Sequence, residues 1–231
     1  MPARQFNLLF FLLFFVHLTA VHFGVRWLEI STKPLIVALL MAYFYLNKGL
    51  KDRFSKKVFA ALIWSWIGDV VLMLVPFNAS LFLIGLGAFL IAQIAYASAF
   101  FEDVKKATGR PVWLLPFAIA FFGTYSYLLY SLLAPGLGPL KMPVLFYAVI
   151  ISVMAIFAWS RWGNVRGAAY WLVAIGALLF VTSDTVLAIN KFKLSFPHAG
   201  LVIMATYMLA QYGITLGAMR RESITAHVTE E

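Results

Sequence analysis

Two aspartates stand where acids are costly to keep. Asp69, in Trp64 to Met73 (WSWIGDVVLM), and Asp184, in Leu178 to Phe192 (LLFVTSDTVLAINKF), each interrupt an apolar run able to cross a bilayer. A carboxyl group at that depth costs several kcal/mol unless it faces protein or water, so it is kept for pairing, transport or chemistry. The other seven acids, Glu29, Asp52, Glu102, Asp103, Glu222, Glu230 and Glu231, fall in expected loops or in the C-terminal tail. Two carboxyl groups sharing one low-dielectric cavity resist being charged together, which separates a protonated acid from an ionised partner. That arrangement suits acid/base hydrolysis. It suits a proton- or cation-coupled transporter equally well, and a third reading has the aspartates only bonding Lys33, Tyr207 or loosened backbone to hold a bundle together.

Helix rise places further polar groups near this pair. Asp69 lies seven residues before Pro76 and Asp184 six before Asn190, so each sits roughly 9–10 Å below the non-cytoplasmic end of its helix at ~1.5 Å per residue. From Pro34 to Asn47 the second span covers only ~21 Å, which lets Lys33 sit below the surface at a similar level. Tyr207, in the last span, reaches ~12 Å down. Ser65 is one turn below Asp69 on the same face, and Lys191 is two turns from Asp184, nearer the mouth. With Asn190 at the helix end and Gln211 one turn beyond Tyr207, the expected substrate-binding set is Lys33, Ser65, Asn190, Lys191, Tyr207 and Gln211. Lys33 and Lys191 are placed to hold a lipid phosphate or to snorkel, and Gln93 and Gln211 are suited to interhelical hydrogen bonding.

The elements that carry these residues follow from hydropathy. The chain has 231 residues, 63% of them hydrophobic and 12% charged, which excludes a soluble domain. Eight spans are expected, at about 6–25, 30–47, 57–76, 80–101, 112–133, 143–162, 168–190 and 199–219. The first follows only MPARQ, lacks a clear A-x-A cleavage site, and is read as a helix rather than a signal peptide. Thirteen of the 18 Lys and Arg residues fall on the side of both termini and five opposite, so both termini are expected in the cytoplasm, at the inner membrane if the cell is bacterial. The same distribution explains the net charge of +9 without nucleic acid.

The two halves resemble each other. Lys33-Pro34 answers Lys141-Met142-Pro143, Gly68-Asp69 answers Ser183-Asp184, and Ala92-Gln93 answers Ala210-Gln211, at offsets of 109, 115 and 118 from Pro34, Asp69 and Gln93. The expected fold is all-α: a single transmembrane domain over 1–231, built as a polytopic bundle of eight transmembrane helices in two parallel four-helix halves. The half-repeats run approximately 1–110 and 111–220, with a polar tail at 221–231, and four crossings per half put the pseudo-twofold axis along the membrane normal.

Other chemistries lack their residues. There is no cysteine, and no HExxH, GxSxG or Walker sequence. His17 and His22, five apart, lie about 140° around a helix and do not form an i, i+4 metal pair. The Phe-rich start, FNLLFFLLFF, is expected to face lipid, and Gly85-Leu86-Gly87 to permit close helix packing.

Together, Lys33-Pro34, Gly68-Asp69 with Leu72-Met73, Gly85 to Tyr96 (GLGAFLIAQIAY), Phe180 to Phe192 (FVTSDTVLAINKF) and Tyr207 to Tyr212 (YMLAQY) resemble the YhhN-type lysoplasmalogenase family of eight-helix membrane proteins. The resemblance covers nearly the whole chain. It implies hydrolysis of the vinyl ether bond of a lysoplasmalogen, a lysophospholipid drawn from membrane lipid, to a fatty aldehyde and glycerophospho-ethanolamine or glycerophospho-choline. It also implies Asp69 and Asp184 as the catalytic pair, with no metal or cofactor. One departure is Gln93, where many members are expected to carry histidine.

Overall fold

A long apolar segment in lipid satisfies its own backbone groups by coiling into a helix, where each N–H and C=O finds its partner within the segment. The computed structural model describes residues 1–105, 114–165 and 167–221. Among them are eight α-helices: α1 (Ala3–Phe23), α2 (Arg26–Lys48), α3 (Arg53–Met73), α4 (Leu81–Lys105), α5 (Leu114–Leu133), α6 (Lys141–Trp159), α7 (Gly167–Phe192) and α8 (Ala199–Met219). Two 3-10 turns, Ala134–Gly136 and Gly138–Leu140, connect α5 to α6. Seven of the eight helices are long and apolar enough to cross a membrane. The exception is α3, which carries Lys56 and Lys57 near its start and Asp69 near its end. The start of the expected fifth span and the polar tail beyond Arg221 lie outside the described residues.

Two helix pairs form the most extensive contacts, α3 with α4 and α7 with α8. Small residues make the second possible: a Cβ placed on Gly213 would lie 2.9 Å from the Leu172 carbonyl oxygen, and one on Gly176 3.0 Å from that of Ala210. In the first pair Gly85 lies against Leu72 of α3, as the glycine step leads one to expect, whereas Gly87 faces no neighbour. α4 also packs on α6, and α8 reaches both α1 and α2. α5 is peripheral, packed chiefly on α6.

Three sequence expectations change here. α2 begins at Arg26, so Pro34 lies inside the helix rather than opening it. A proline there forfeits one backbone hydrogen bond without ending a packed helix, and the Pro34 carbonyl accepts the Trp66 indole N–H at 3.0 Å. α1 does not simply face lipid: Phe6, Phe10 and Phe14, spaced one turn apart, are buried, and Phe6 stacks on Tyr43 at 3.7 Å. Leu8, Leu12 and Phe15 hold the exposed face.

Not all the remaining acids are in loops. Glu29 belongs to α2, and Glu102 and Asp103 to the last turn of α4. Asp103 is buried and accepts from Arg161 Nε at 2.9 Å and Arg221 Nε at 2.7 Å. Arg161, fully buried, also lies over the rings of Phe54 and Phe100. This knot joins the ends of α4, α6 and α8 to the start of α3, on the side opposite the aspartate pair.

Candidate active site

Asp69 sits in the last turns of α3, with its carboxylate turned into the bundle and 2% of the residue exposed. Tyr207 of α8 donates a hydrogen bond to its Oδ2 at 2.6 Å, and Lys33 Nζ of α2 lies 3.7 Å from its Oδ1. Asp184, on α7, is held by a second phenol: Tyr147 of α6 donates to its Oδ2 at 2.5 Å. Asp184 is only partly buried. Hydrogen bonds to a carboxylate are stronger than those between neutral groups, so each tyrosine fixes its acid's direction as well as satisfying it.

Both carboxylates line one cavity, together with Lys33, Tyr147 and Tyr207. About 790 Å³ of it, counting the open solvent at its mouth, is free of protein atoms. Most of its remaining wall is apolar, including Leu72, Phe82, Leu86, Phe89, Val144, Leu187, Phe192, Ile203 and Met204. Both acids face this one space. Their surroundings differ in kind. Asp69 has a cation beside it, which offsets the cost of a buried negative charge; Asp184 has a hydroxyl donor and pairs with no cation among the described residues.

Behind the wall a buried chain of hydrogen bonds supports Tyr207. Gln211 Nε2 donates to the Tyr207 hydroxyl at 3.4 Å, and Gln211 Oε1 accepts from Tyr96 at 2.7 Å. The floor is aromatic: Phe89, Phe180 and Tyr207 meet edge to face, with ring centroids 5.5–6.4 Å apart.

Of the substrate-binding set expected from sequence, Lys33 and Tyr207 stand in the cavity wall beside Asp69. Ser65 is fully buried one turn below Asp69, and its hydroxyl has no hydrogen-bond partner among the described residues. Gln211 lies behind Tyr207 rather than in the wall. Asn190 accepts from the Phe196 N–H at 3.2 Å, so it shapes the link between α7 and α8. Lys191 is exposed, with Nζ 5.2 Å from the centre of the Phe82 ring, which places it at the rim of the cavity. Gln93 is buried beside Tyr147.

Tyr147 is the site residue that sequence reasoning did not find. Its signal was present but slight: a tyrosine nearly two turns inside α6, in a helix whose next residues, AVIISVMAIFAW, offer only one other polar side chain before the terminal tryptophan.

A family model described as the YhhN family matches residues 28–218. The lysoplasmalogenase TMEM86B of Homo sapiens is 32% identical over 195 residues, covering 84% of this chain and 76% of that protein. The lysoplasmalogenase TMEM86A of Homo sapiens is 29% identical over 232 residues, covering 92% and 90%. A lysoplasmalogenase of Mycobacterium tuberculosis is 30% identical over 160 residues, covering 68% of this chain and 58% of that protein. No solved structure gives a significant match. On the extent of the family match and of these similarities, the chain belongs to the YhhN family.

Proposed function

We propose that this protein is a membrane hydrolase that cleaves the vinyl ether bond of a lysoplasmalogen, with Asp69 and Asp184 as its acid/base pair. The observation that carries the reading is the placement of two carboxylates, from separate helices, on one largely apolar cavity in a chain similar to proteins named lysoplasmalogenases. A vinyl ether presents an electron-rich β-carbon next to a long hydrocarbon chain, and an apolar chamber with an acid in its wall is complementary to both.

Asp184, without a paired cation, is assigned as the acid. Its proton passes to the β-carbon, the C=C electron pair forms the new C–H bond, and the positive charge is shared between the α-carbon and the ether oxygen. Asp69, kept anionic by Lys33, stabilises that oxocarbenium ion across the cavity. Water then adds to the α-carbon and gives its proton back to Asp184. The resulting hemiacetal loses its hydroxyl proton while the ether oxygen gains one, the C–O bond breaks, and a fatty aldehyde and a glycerophospho-alcohol leave. Positioned acid/base groups of this kind contribute about 10²–10⁴ in rate. Tyr147 and Tyr207 aim the two carboxylates, and Lys33 is also within reach of a lipid phosphate entering from the rim.

The test is incubation of detergent-purified protein with lysoplasmalogen, measuring aldehyde and glycerophospho-alcohol together. Equal amounts of the two products, formed in proportion to enzyme, are expected. A transporter with the same aspartates would release no aldehyde, and that result would refute the proposal.

A further inference from the structure

The cavity at the aspartates holds the reacting bond, but a long-chain lysolipid continues beyond that bond by more than a dozen carbons, and this tail needs a path. Directly below the dyad the described residues leave none. The aromatic floor of Phe89, Phe180 and Tyr207 is backed by the buried Tyr96–Gln211 pair and Phe100. To the side the wall is different. A second crevice opens between α5, α6 and α7, and it shares Val144, Tyr147, Asp184 and Ala188 with the main cavity. The dyad's second acid therefore stands between two adjoining spaces.

We infer that the crevice between α5, α6 and α7 is the binding site for the alkenyl chain of the lysolipid, taking the tail sideways from Asp184 toward the bilayer. The inference rests on the lysolipid reading above. Its lining fits a hydrocarbon: Leu129, Leu133, Ala148 and Ile151 supply apolar surface. Its position fits as well, since α5 is the peripheral helix and Tyr127, Leu128 and Leu132 beside the crevice are exposed on its outer side. At its inner end the Tyr125 hydroxyl hydrogen-bonds to Thr185 Oγ1, next in sequence to Asp184, and Ser126 hydrogen-bonds to Ser152 of α6. These polar ties fix α5 against the two site-bearing helices at the level where the vinyl ether has to stop. A chain seated in the crevice with its head group toward Lys33 puts the vinyl ether carbons beside Asp184.

The test uses one binding and one kinetic measurement on full-length protein. A non-hydrolysable lysophosphatidylethanolamine with a diazirine at the chain end is cross-linked to detergent-purified wild type, and labelled residues are mapped by mass spectrometry. Labelling within Tyr125–Leu133 or on α6 near Ile151 is expected; labelling confined to the rim around Phe82 and Phe192 overturns the inference. This readout does not need turnover, so a labelled crevice in a protein that releases no aldehyde would retain the chain site while removing the hydrolase reading. In the second arm Ala148→Phe and Leu129→Trp, each filling the crevice, are compared with wild type on lysoplasmalogens of short and long chain. The long-to-short ratio of kcat/KM should fall by at least ~10-fold, because each methylene denied its apolar site loses a several-fold share of binding. An unchanged ratio in two folded, active variants overturns the inference, and Leu133→Ala, which enlarges the crevice, should leave the ratio at or above the wild-type value.

Discussion

Asp69 makes two contacts with separable consequences: a hydrogen bond from Tyr207 and an ion pair with Lys33. Lys33→Met removes the cation and leaves a nearly buried carboxylate with only a phenol. Breaking a buried pair in this way costs on the order of 3 kcal/mol. In Lys33→Met/Asp69→Asn the charge is gone with its partner, so most of that loss should return, as a double-mutant cycle of thermal or denaturant stability will measure. Activity should not return with it, because the anion assigned to stabilise the oxocarbenium ion is absent; recovery of both together would make the pair purely structural. At this scale much was legible in sequence. An acid within an apolar run is conspicuous, and helix rise alone put Lys33 and Tyr207 near the level of Asp69. Tyr147 was not legible, because tyrosine is common near membrane interfaces and nothing within α6 points to an acid 37 residues later.

Helix packing determines whether the two acids share a cavity at all. Asp184 rides on α7 and Tyr207 on α8, and these helices touch through Gly176 and Gly213. Gly213→Leu would force side-chain atoms against the Leu172 carbonyl and wedge the pair apart, an overpacking cost of about 1–3 kcal/mol. The expected result is a lower melting temperature and a larger loss of turnover, since the wedge also shifts Tyr207 relative to Asp184. Gly87→Ala, whose new Cβ has no atom within 4 Å, serves as the control and should leave both near wild type. Hydropathy located these helices well but not their ends. α4 has 25 residues, ~38 Å at helical rise, longer than a bilayer core of ~30 Å and so long enough for its last turn to reach past it. There Asp103 meets Arg161 and Arg221, partners 58 and 118 residues away that no local pattern connects to it. A proline inside α2 likewise looks like a helix start until tertiary packing carries the helix through it.

Across the whole molecule, we propose that all eight helices cross the membrane, with both termini in the cytoplasm. α3 is the helix whose composition alone does not require it. Two of its charges are nevertheless matched within the bundle: Asp69 by Lys33, and Lys57 by Glu102 at 2.6 Å. The matching α3–α4 and α7–α8 pairs support the reading of two half-repeats, approximately 1–110 and 111–220. Reporter fusions after α2, after α3 and at the C-terminus test it. Cytoplasmic signals are expected after α2 and at the C-terminus, with an outer signal after α3; a C-terminal reporter active only outside would refute the topology. The central claim, hydrolysis by the aspartate pair, is tested most directly by aldehyde release from four preparations: wild type, Asp69→Asn, Asp184→Asn and the double variant. Each is normalised to folded protein by its thermal transition and by lysolipid binding. The amide keeps size and much of the hydrogen bonding but neither exchanges the proton at Asp184 nor carries the negative charge at Asp69. Each single variant should lose on the order of 10²-fold or more in turnover while still binding lysolipid, and the double variant should be little worse than either, because groups acting as one unit are not additive. Near-normal turnover per folded molecule in either single variant would contradict the account.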